Sequence, residues 1–503
     1  MEKNLAQKTM KNSFWNFSSS LVVRIGSLIF TILLARFLLP EGFGIYNLVF
    51  SIAFLFMTFF HSGINESLLR YISESLGKND KRKTKSYFQY LFRLKLIISG
   101  AFSALLILLA YPLSFYIFKK PIIFLPLILS AGYIFLFSFE GFLDSLFFAL
   151  KKVKYLFLKE IFSQSLKVGI ILAVFFIFTP EYYILGIIAG LIITAILILA
   201  LLFYLFYHLM PYLFQKGERI SKKDKGRIIH FVAYLLLGGV SFAFFGCIDV
   251  IMLGLLIEDA VFIGYYRSAF ILVSSLGGLM TFSYVLLPVL TQMGKDKIEN
   301  AFNRIFRYNM IASIPAAFGV AILSKYIIRL IYGYDYLEAA LPLYFLSSLI
   351  VLGVMVALFL SLFSALEKPR IYLPLLIGII ILNVLLNYIL ITTLDKYSLI
   401  WATTGAGIAT VVSWIIYSIG LGWLAYKHLD VKTDLTLLIK PTIASLIMAL
   451  GVYSTLQFVP NMNILSGIFE VMLGVLIYSI IMLLIKGIVK EDLLLFKSIL
   501  RRK

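Results

Sequence analysis

The sequence predicts an all-α integral membrane protein. Composition, long apolar stretches and the placement of basic residues each support this prediction. Hydrophobic residues make up 61% of the 503 residues and charged residues only 14%, whereas soluble proteins carry roughly 45–50% and about 25%. This composition excludes a soluble enzyme and a disordered chain. One cysteine cannot form a disulfide scaffold. The formal net charge of +20 does not lie on a visible soluble domain, so no nucleic-acid partner is expected.

About 14 stretches are long and apolar enough to cross a bilayer as helices, which takes roughly 20 apolar residues each. They are apolar on nearly all sides, as expected of helices that contact lipid. The predicted stretches are 13–38, 46–64, 91–118, 122–149, 161–178, 182–207, 231–256, 268–290, 308–331, 339–364, 373–392, 399–425, 441–459 and 465–485.

Basic residues predict the orientation of these helices. With the N-terminus inside and the helices alternating in direction, 36 of the 45 Lys and Arg residues fall on the cytoplasmic side. Membrane insertion follows this bias. We therefore expect a multi-pass protein of the cytoplasmic membrane with both termini in the cytoplasm.

An internal repeat divides the predicted helices into two halves. The matching segments are 44–46 with 264–266, 76–78 with 293–295, and 149–154 with 365–370, at offsets of 220, 217 and 216 residues. Both halves start inside, so the repeat is parallel, and such halves enclose a central cavity. We predict a six-helix lobe over 1–215 and a second over 216–430. Residues 431–503 would form two extra transmembrane helices and a basic cytoplasmic tail.

Residues 35–46, which read ARFLLPEGFGIY, resemble the A-R-x-L-x-P-E-x-F-G-x-Y stretch of the polysaccharide biosynthesis family. These proteins are O-antigen and capsule repeat-unit flippases of the multidrug/oligosaccharidyl-lipid/polysaccharide exporter superfamily. The resemblance implies a transporter rather than an enzyme. It would flip a polyprenyl-(pyro)phosphate-linked oligosaccharide across the cytoplasmic membrane by alternating access. Membrane lipids would surround it, and glycosyltransferases or a polymerase of the same pathway would be its partners.

Three arginines are candidates for binding the phosphate or sugar of such a substrate. An ionisable residue inside a span costs ~2.5–3.5 kcal/mol on insertion scales and indicates function. Arg24 would lie ~17 Å into the first span, near the bilayer midplane. Arg36 would lie near the outer end of that span, and Arg267 would begin the eighth. A guanidinium binds phosphate oxygens in a bidentate manner. The alternatives are a structural pair between Arg24 and Glu140, and an Arg36 that extends to the outer interface.

Glu140 and Asp144 are counted with the cavity because they are four residues apart on one helix face. Two carboxylates there could relay protons or bind a cation. The alternative is that they pair with a basic residue such as Arg24 or Lys167.

Asp249, Asn383, Asn387 and Thr403 form a candidate cation site in the second half. Their expected depths let them meet in the outer half of that lobe, and their oxygens suit a hard cation such as Na⁺. The resemblance implies the same, because lipid II flippases have a sodium site on equivalent helices. Asn387 stands here in place of an acid, which lowers the charge of the site. The alternative is that the asparagines join helices. Na⁺ or H⁺ is the candidate coupling ion, and no other cofactor is expected.

Two other functions compete with the flippase. A small-molecule or drug extruder of the same superfamily would be expected to have a less cationic cavity. A membrane glycosyltransferase or polymerase would need acidic residues in sizeable outer loops, whereas 179–181 and 393–398 are only a few residues long.

Overall fold

The computed structural model describes residues 2–215, 220–280, 295–366, 368–457 and 463–487. All regular structure within these ranges is helical, as predicted. The α-helices are α1 Glu2–Gly77, α2 Lys81–Pro112, α3 Phe124–Ala149, α4 Val153–Ile177, α5 Tyr183–Leu209, α6 Lys222–Leu256, α7 Ala260–Met280, α8 Lys295–Ile322, α9 Ser324–Ile331, α10 Ala340–Leu346, α11 Leu349–Ala365, α12 Leu373–Leu394, α13 Leu399–Leu429, α14 Ile439–Leu456 and α15 Ile464–Leu484.

Helix α1 is two helices joined at a kink. Leu39 has φ 57° and ψ 174°, which is not helical, and Pro40 follows it. A proline lacks the N–H for a helical hydrogen bond and restricts the residue before it. The sequence therefore divides α1 where the first two predicted spans meet. This break places the 40–44 segment at a corner of the chain.

The number of spans is the part of the fold prediction that stays open. Eleven helices in the described ranges are long and apolar enough to cross a membrane, or twelve if one pair bent by 46° forms a single span. One of the eleven, Phe14–Gly77, covers two predicted spans across the kink. Part of the predicted span 268–290 lies outside the described residues. The count of fourteen therefore remains a prediction.

Packing divides the chain into two compact units, Met1–Gly264 and Tyr265–Lys503. In the first unit, α1 packs against α2, α3, α4 and α6. Lys120 joins the turn before α3 to the end of α6, because its ammonium donates to the carbonyls of Gly254 and Ile257. Helix α6, placed at the start of the second lobe by the repeat, thus packs within the first unit. The two units are defined by packing, whereas the predicted lobes are defined by the sequence repeat. The packing units therefore do not test the limits 1–215 and 216–430, which remain predictions.

The second unit has two helix groups of its own. Helix α12 packs against α13, and α14 packs against α15 and α8. Side-chain caps begin several of these helices: Ser398 accepts from the N–H of Trp401, and Asn463 forms a reciprocal capping box with Ser466. Such caps satisfy the first N–H groups of a helix, which have no partner inside it.

Two glycines of the internal repeat contact each other's segments within the first unit. A Cβ on Gly44 would lie 2.0 Å from the carbonyl oxygen of Ala260, and a Cβ on Gly264 would lie 2.1 Å from that of Pro40. Real Cβ atoms are never that close to backbone, so both positions require glycine. The 40–44 and 260–264 segments pack backbone to backbone, and each makes the same contact with the other.

Candidate functional site

A buried network of charged side chains surrounds Lys159 in the first unit. Its Nζ lies 2.9 Å from Oε1 of Glu140, 2.8 Å from Oδ2 of Asp144 and 2.6 Å from Oε1 of Glu160. The Lys159 side chain is only 1% exposed. Of the three N–H donors of an ammonium, two form hydrogen bonds with Glu140 and Asp144, and Glu160 forms an ion pair with the same group.

Local sequence explains why these groups meet. Glu140 and Asp144 are four residues apart on α3 and share one face, as predicted. The short turn 150–152, in which Lys151 has φ 56°, joins α3 to α4. The two helices therefore lie side by side, and Lys159, about 9 Å along α4, contacts that face of α3. The structure thus pairs both carboxylates with a basic residue, as in the alternative interpretation, but that residue is Lys159 rather than Arg24 or Lys167.

The charge of this network is not balanced when every group is ionised. The carboxylates of Glu140, Asp144 and Glu160 each place an oxygen within 4.8 Å of the others, in an arrangement that could hold a metal ion. The Lys159 ammonium supplies the cation there, but one positive charge meets three negative ones. Like charges this close together repel each other. Oδ1 of Asp144 is buried and accepts no hydrogen bond, which leaves a position for a proton or a small cation.

A second buried network contains a lysine with neutral partners. Lys95 on α2 is fully buried, and its Nζ donates to the carbonyl of Phe60 at 2.7 Å and to Oδ1 of Asn65 at 3.2 Å. Asn65 lies 3.5 Å from Nε2 of His61. A Cβ on Gly141 would lie 2.6 Å from Cε1 of that imidazole. Since Gly141 follows Glu140, this network packs on α3 beside the one around Lys159.

The sequence analysis missed both buried lysines because it counted them among the 36 basic residues of the cytoplasmic side. A local signal was present in each case. Lys95 has Leu94 and Leu96 as neighbours, and Lys159 follows the apolar residues 155–158. A cation inside such a run predicts burial, and a buried ammonium needs a partner.

The three candidate arginines do not all belong to one unit. Arg24 is half-buried and Arg36 is exposed, both on α1 of the first unit. Arg267 is half-buried in the second unit, with its guanidinium carbon 5.4 Å from the centre of the Phe270 ring. A Cβ on Gly26, two residues after Arg24, would lie 2.6 Å from Cγ of Gln164. The Arg24 segment therefore packs on α4 one turn beyond Glu160. A cavity shared by the three arginines remains a prediction.

The residues of the predicted cation site are buried, but they also fall in both units. Asp249 lies on α6 of the first unit, and the other three lie in the second. Nδ2 of Asn387 donates to the carbonyl and Oδ1 of Asn383, at 3.0 and 3.2 Å. Thr403 donates to the carbonyl of Leu399, one turn earlier on its own helix.

Helix α13 supplies two further groups that the sequence analysis did not name. Nδ2 of Asn383 lies 3.3 Å from Oγ1 of Thr410 and 3.3 Å from Oγ of Ser413. These hydrogen bonds join α12 to α13. For Asn383 they agree with the alternative interpretation, in which the asparagines join helices. A site formed by Asp249, Asn383, Asn387 and Thr403 remains a prediction.

Comparison with protein families gives the chain its relatives. A family described as "Polysaccharide biosynthesis protein" matches residues 9–294, which is more than half of the chain. The protein belongs to the polysaccharide biosynthesis family. The match confirms the resemblance that residues 35–46 indicated, and it covers the whole network around Lys159.

Two relatives differ in how much of the chain they cover. The probable low-salt glycan biosynthesis flippase Agl15 of Haloferax volcanii is 23% identical over 293 residues, which are 56% of this chain. The match spans 59% of that flippase, less than two thirds of its length. An uncharacterized membrane protein of Methanocaldococcus jannaschii is 22% identical over 450 residues, 84% of this chain and 85% of that protein.

Solved structures share the fold of this polysaccharide biosynthesis protein. The lipid II flippase MurJ in an inward closed conformation matches with a TM-score of 0.73 and 17% identity, over 94% of this chain and 98% of MurJ. An inward-facing multidrug resistance MATE family transporter of the MOP superfamily matches with a TM-score of 0.63 and 14% identity, over 81% and 96% of the two chains. The predicted class, an all-α membrane transporter fold, is confirmed.

Proposed function

We propose that this protein is a flippase that moves a polyprenyl-(pyro)phosphate-linked oligosaccharide across the cytoplasmic membrane by alternating access. The observation that carries this proposal is the match of residues 9–294 to the polysaccharide biosynthesis family. The fold likeness to a lipid II flippase over 94% of the chain supports it. Both termini would lie in the cytoplasm. Glycosyltransferases or a polymerase of the same pathway would be its partners, because other enzymes must make and consume a lipid-linked sugar.

Arginines would bind the diphosphate of this substrate while the lipid tail stays in the bilayer. Arg24 is the first candidate because it is half-buried on a membrane-spanning helix, where a cation without a function would be costly. Arg36 and Arg267 are the second and third. Glu140 and Asp144 bind Lys159 and hold α3 and α4 together. The Arg24 segment packs on α4, so the two carboxylates would position the cavity rather than contact the substrate.

Leaflet transfer in liposomes tests this proposal. The protein is reconstituted with a fluorescent polyprenyl-diphosphate sugar, and an outside quencher reports how much substrate each leaflet holds. We expect transfer by the wild type and its loss in the double variant Arg24→Ala with Arg267→Ala. Arg82→Ala, in the first turn of α2, is the matched control and should transfer normally. Full transfer by the double variant would contradict the arginine cavity, and no transfer by the wild type would contradict the flippase.

We further infer that a cation drives transport, with two candidate sites. The network around Lys159 suits a proton, because it holds more carboxylates than cations. The set of Asp249, Asn383, Asn387 and Thr403 suits Na⁺. Transport that depends on a sodium gradient and falls in Asp249→Asn would support the second site. Transport that is indifferent to sodium would leave the network around Lys159 as the candidate site.

A drug or small-molecule extruder is the second candidate function. The fold likeness to a multidrug resistance MATE family transporter favours it. The same liposomes test it with a cationic dye in place of the lipid-linked sugar. Export of the dye without transfer of the sugar would replace the flippase by the extruder.

A further inference from the structure

A small basic cavity lies in the second unit, where α8, α14 and the end of α15 meet. Its volume is about 270 Å³, and the charged residues that line it are Arg307, Lys440 and Lys486. No Asp or Glu is among the described residues of its lining. Three positive charges around one cavity repel each other unless an anion lies between them.

Part of this positive charge has a structural purpose. Nη2 of Arg307 donates to the carbonyl of Gly487, and Nζ of Lys440 donates to that of Lys486, both at 3.0 Å. These contacts stabilise the end of α15, since the C-terminus of a helix carries partial negative charge. Each lysine ammonium has three donors, so a single backbone contact leaves Lys440 able to bind an anion.

Lys486 ends α15 in the left-handed conformation, with φ 51°. The N–H of Gly487 donates to the carbonyl of Met482 at 2.7 Å, and the N–H of Lys486 donates to the carbonyl of Leu483 at 3.2 Å. These two hydrogen bonds form the cap that satisfies the last carbonyls of the helix. The cap brings Lys486 to the wall of the cavity, which it lines together with Arg307 and Lys440.

Apolar surface adjoins the cavity. Ile311, Leu437 and Pro441 line it together with the basic residues. Ile439 on α14 and Leu484 on α15 are 56% and 72% exposed, as expected of side chains that face lipid. An anion with an apolar tail therefore fits this position better than a free anion. In the predicted orientation this end of the unit is cytoplasmic, where basic pockets between transmembrane helices bind anionic headgroups.

A larger cavity of about 910 Å³ shares Arg307 with the small one and adds Arg304 and Lys432. Glu299 and Asp434 line it as well, so its charge is closer to balanced. It offers space for the polar remainder of a headgroup.

We propose that the small cavity binds the phosphate of an anionic membrane phospholipid, with its acyl chains along α14 and α15. The phosphate lies between Lys440 and Lys486, close to Arg307. This site shares no residue with the set proposed to bind the transported sugar, and it does not depend on the flippase proposal.

Native mass spectrometry of the full-length protein in detergent tests this site. Phosphatidylglycerol or phosphatidylcholine is added, and the lipids that remain bound are counted. We expect a preference for phosphatidylglycerol, and a loss of about fivefold in its affinity for each lysine removed in Lys440→Gln with Lys486→Gln. The control Lys325→Gln with Lys396→Gln removes two exposed lysines of the same unit and should keep the preference. Arginine at positions 440 and 486 should keep it too.

Three results would overturn the proposal. The first is equal binding of both lipids by the wild type. The second is unchanged binding of phosphatidylglycerol by the Lys440→Gln and Lys486→Gln double variant, with folding checked by its unfolding temperature. The third is full displacement of the lipid by inorganic phosphate, which would show a phosphate site in which the acyl chains have no part.

Discussion

Nζ of Lys159 lies 2.8 Å from Oδ2 of Asp144, so a single buried ammonium holds a carboxylate on the neighbouring helix. Glu140, one turn earlier on α3, reaches the same ammonium. The α3–α4 pair is thus joined by charge inside an otherwise apolar unit. Removing the ammonium should destabilise the unit more than removing one carboxylate, because the network contains three carboxylates and one cation.

Replacing the cation should be the more damaging change. Lys159→Met leaves the buried Glu140 and the half-buried Asp144 and Glu160 without their ion-pair partner, and breaking a buried pair costs roughly 3–5 kcal/mol. We expect a much lower unfolding temperature in detergent. Lys152→Met removes an exposed lysine from the turn before α4 and should change little. A Lys159→Met variant as stable as the Lys152→Met control would show that the ammonium does not hold the two helices together.

Lys95→Met should behave differently, although Lys95 is equally buried. Its partners, the Phe60 carbonyl and Asn65, are neutral, so the substitution leaves no carboxylate without its cation. It removes a buried charge and leaves Oδ1 of Asn65 without its donor, at a cost of about 1–3 kcal/mol. In the same thermal assay, we expect a smaller loss than for Lys159→Met. The reverse order would mean that Lys95 pairs with a negative group.

Asp144→Asn should uncouple transport from protons while the fold persists. The amide keeps an oxygen for Lys159 and removes one of the three negative charges. If this network carries the coupling proton, a pH gradient across the liposome speeds transfer by the wild type and has no effect on the variant. Glu181→Gln, at an exposed turn before α5, is the control. Equal stimulation of the Asp144→Asn variant and the wild type would exclude this network as the coupling site.

Gly44→Ala should disrupt the contact between the 40–44 and 260–264 segments. The added methyl would lie 2.0 Å from the carbonyl oxygen of Ala260, and overpacking typically costs 1–3 kcal/mol, occasionally more. Gly100→Ala is the matched control, because nothing lies within 4 Å of a Cβ at that position of α2. We expect a lower unfolding temperature for Gly44→Ala and an unchanged or higher one for Gly100→Ala. Equal temperatures would show that the two segments separate without cost.

The sequence predicted the helical class and the shared face of Glu140 and Asp144, because both follow from local spacing. It did not identify Lys159 as their partner, because that contact depends on how the turn at Lys151 packs α4 against α3. For Asn383, the sequence predicted a position on a membrane-spanning helix but not the contacts with Thr410 and Ser413 on α13. Pro40 indicates a helix break in the sequence, but the positive φ of Leu39 could not be predicted from it. Spacing along one helix is visible in a sequence, and pairing between helices is not.

The reciprocal contact of Gly44 with Ala260 and of Gly264 with Pro40 has a consequence for the origin of the chain. Gly44 is equivalent to Gly264 and Pro40 to Ala260 in the repeat, each at an offset of 220 residues, so each segment presents the same surface to its repeat partner. A two-fold axis makes this kind of contact between identical subunits. A half-length ancestor could therefore have formed a homodimer through this glycine, and gene fusion would have preserved the subunit interface as an intramolecular one.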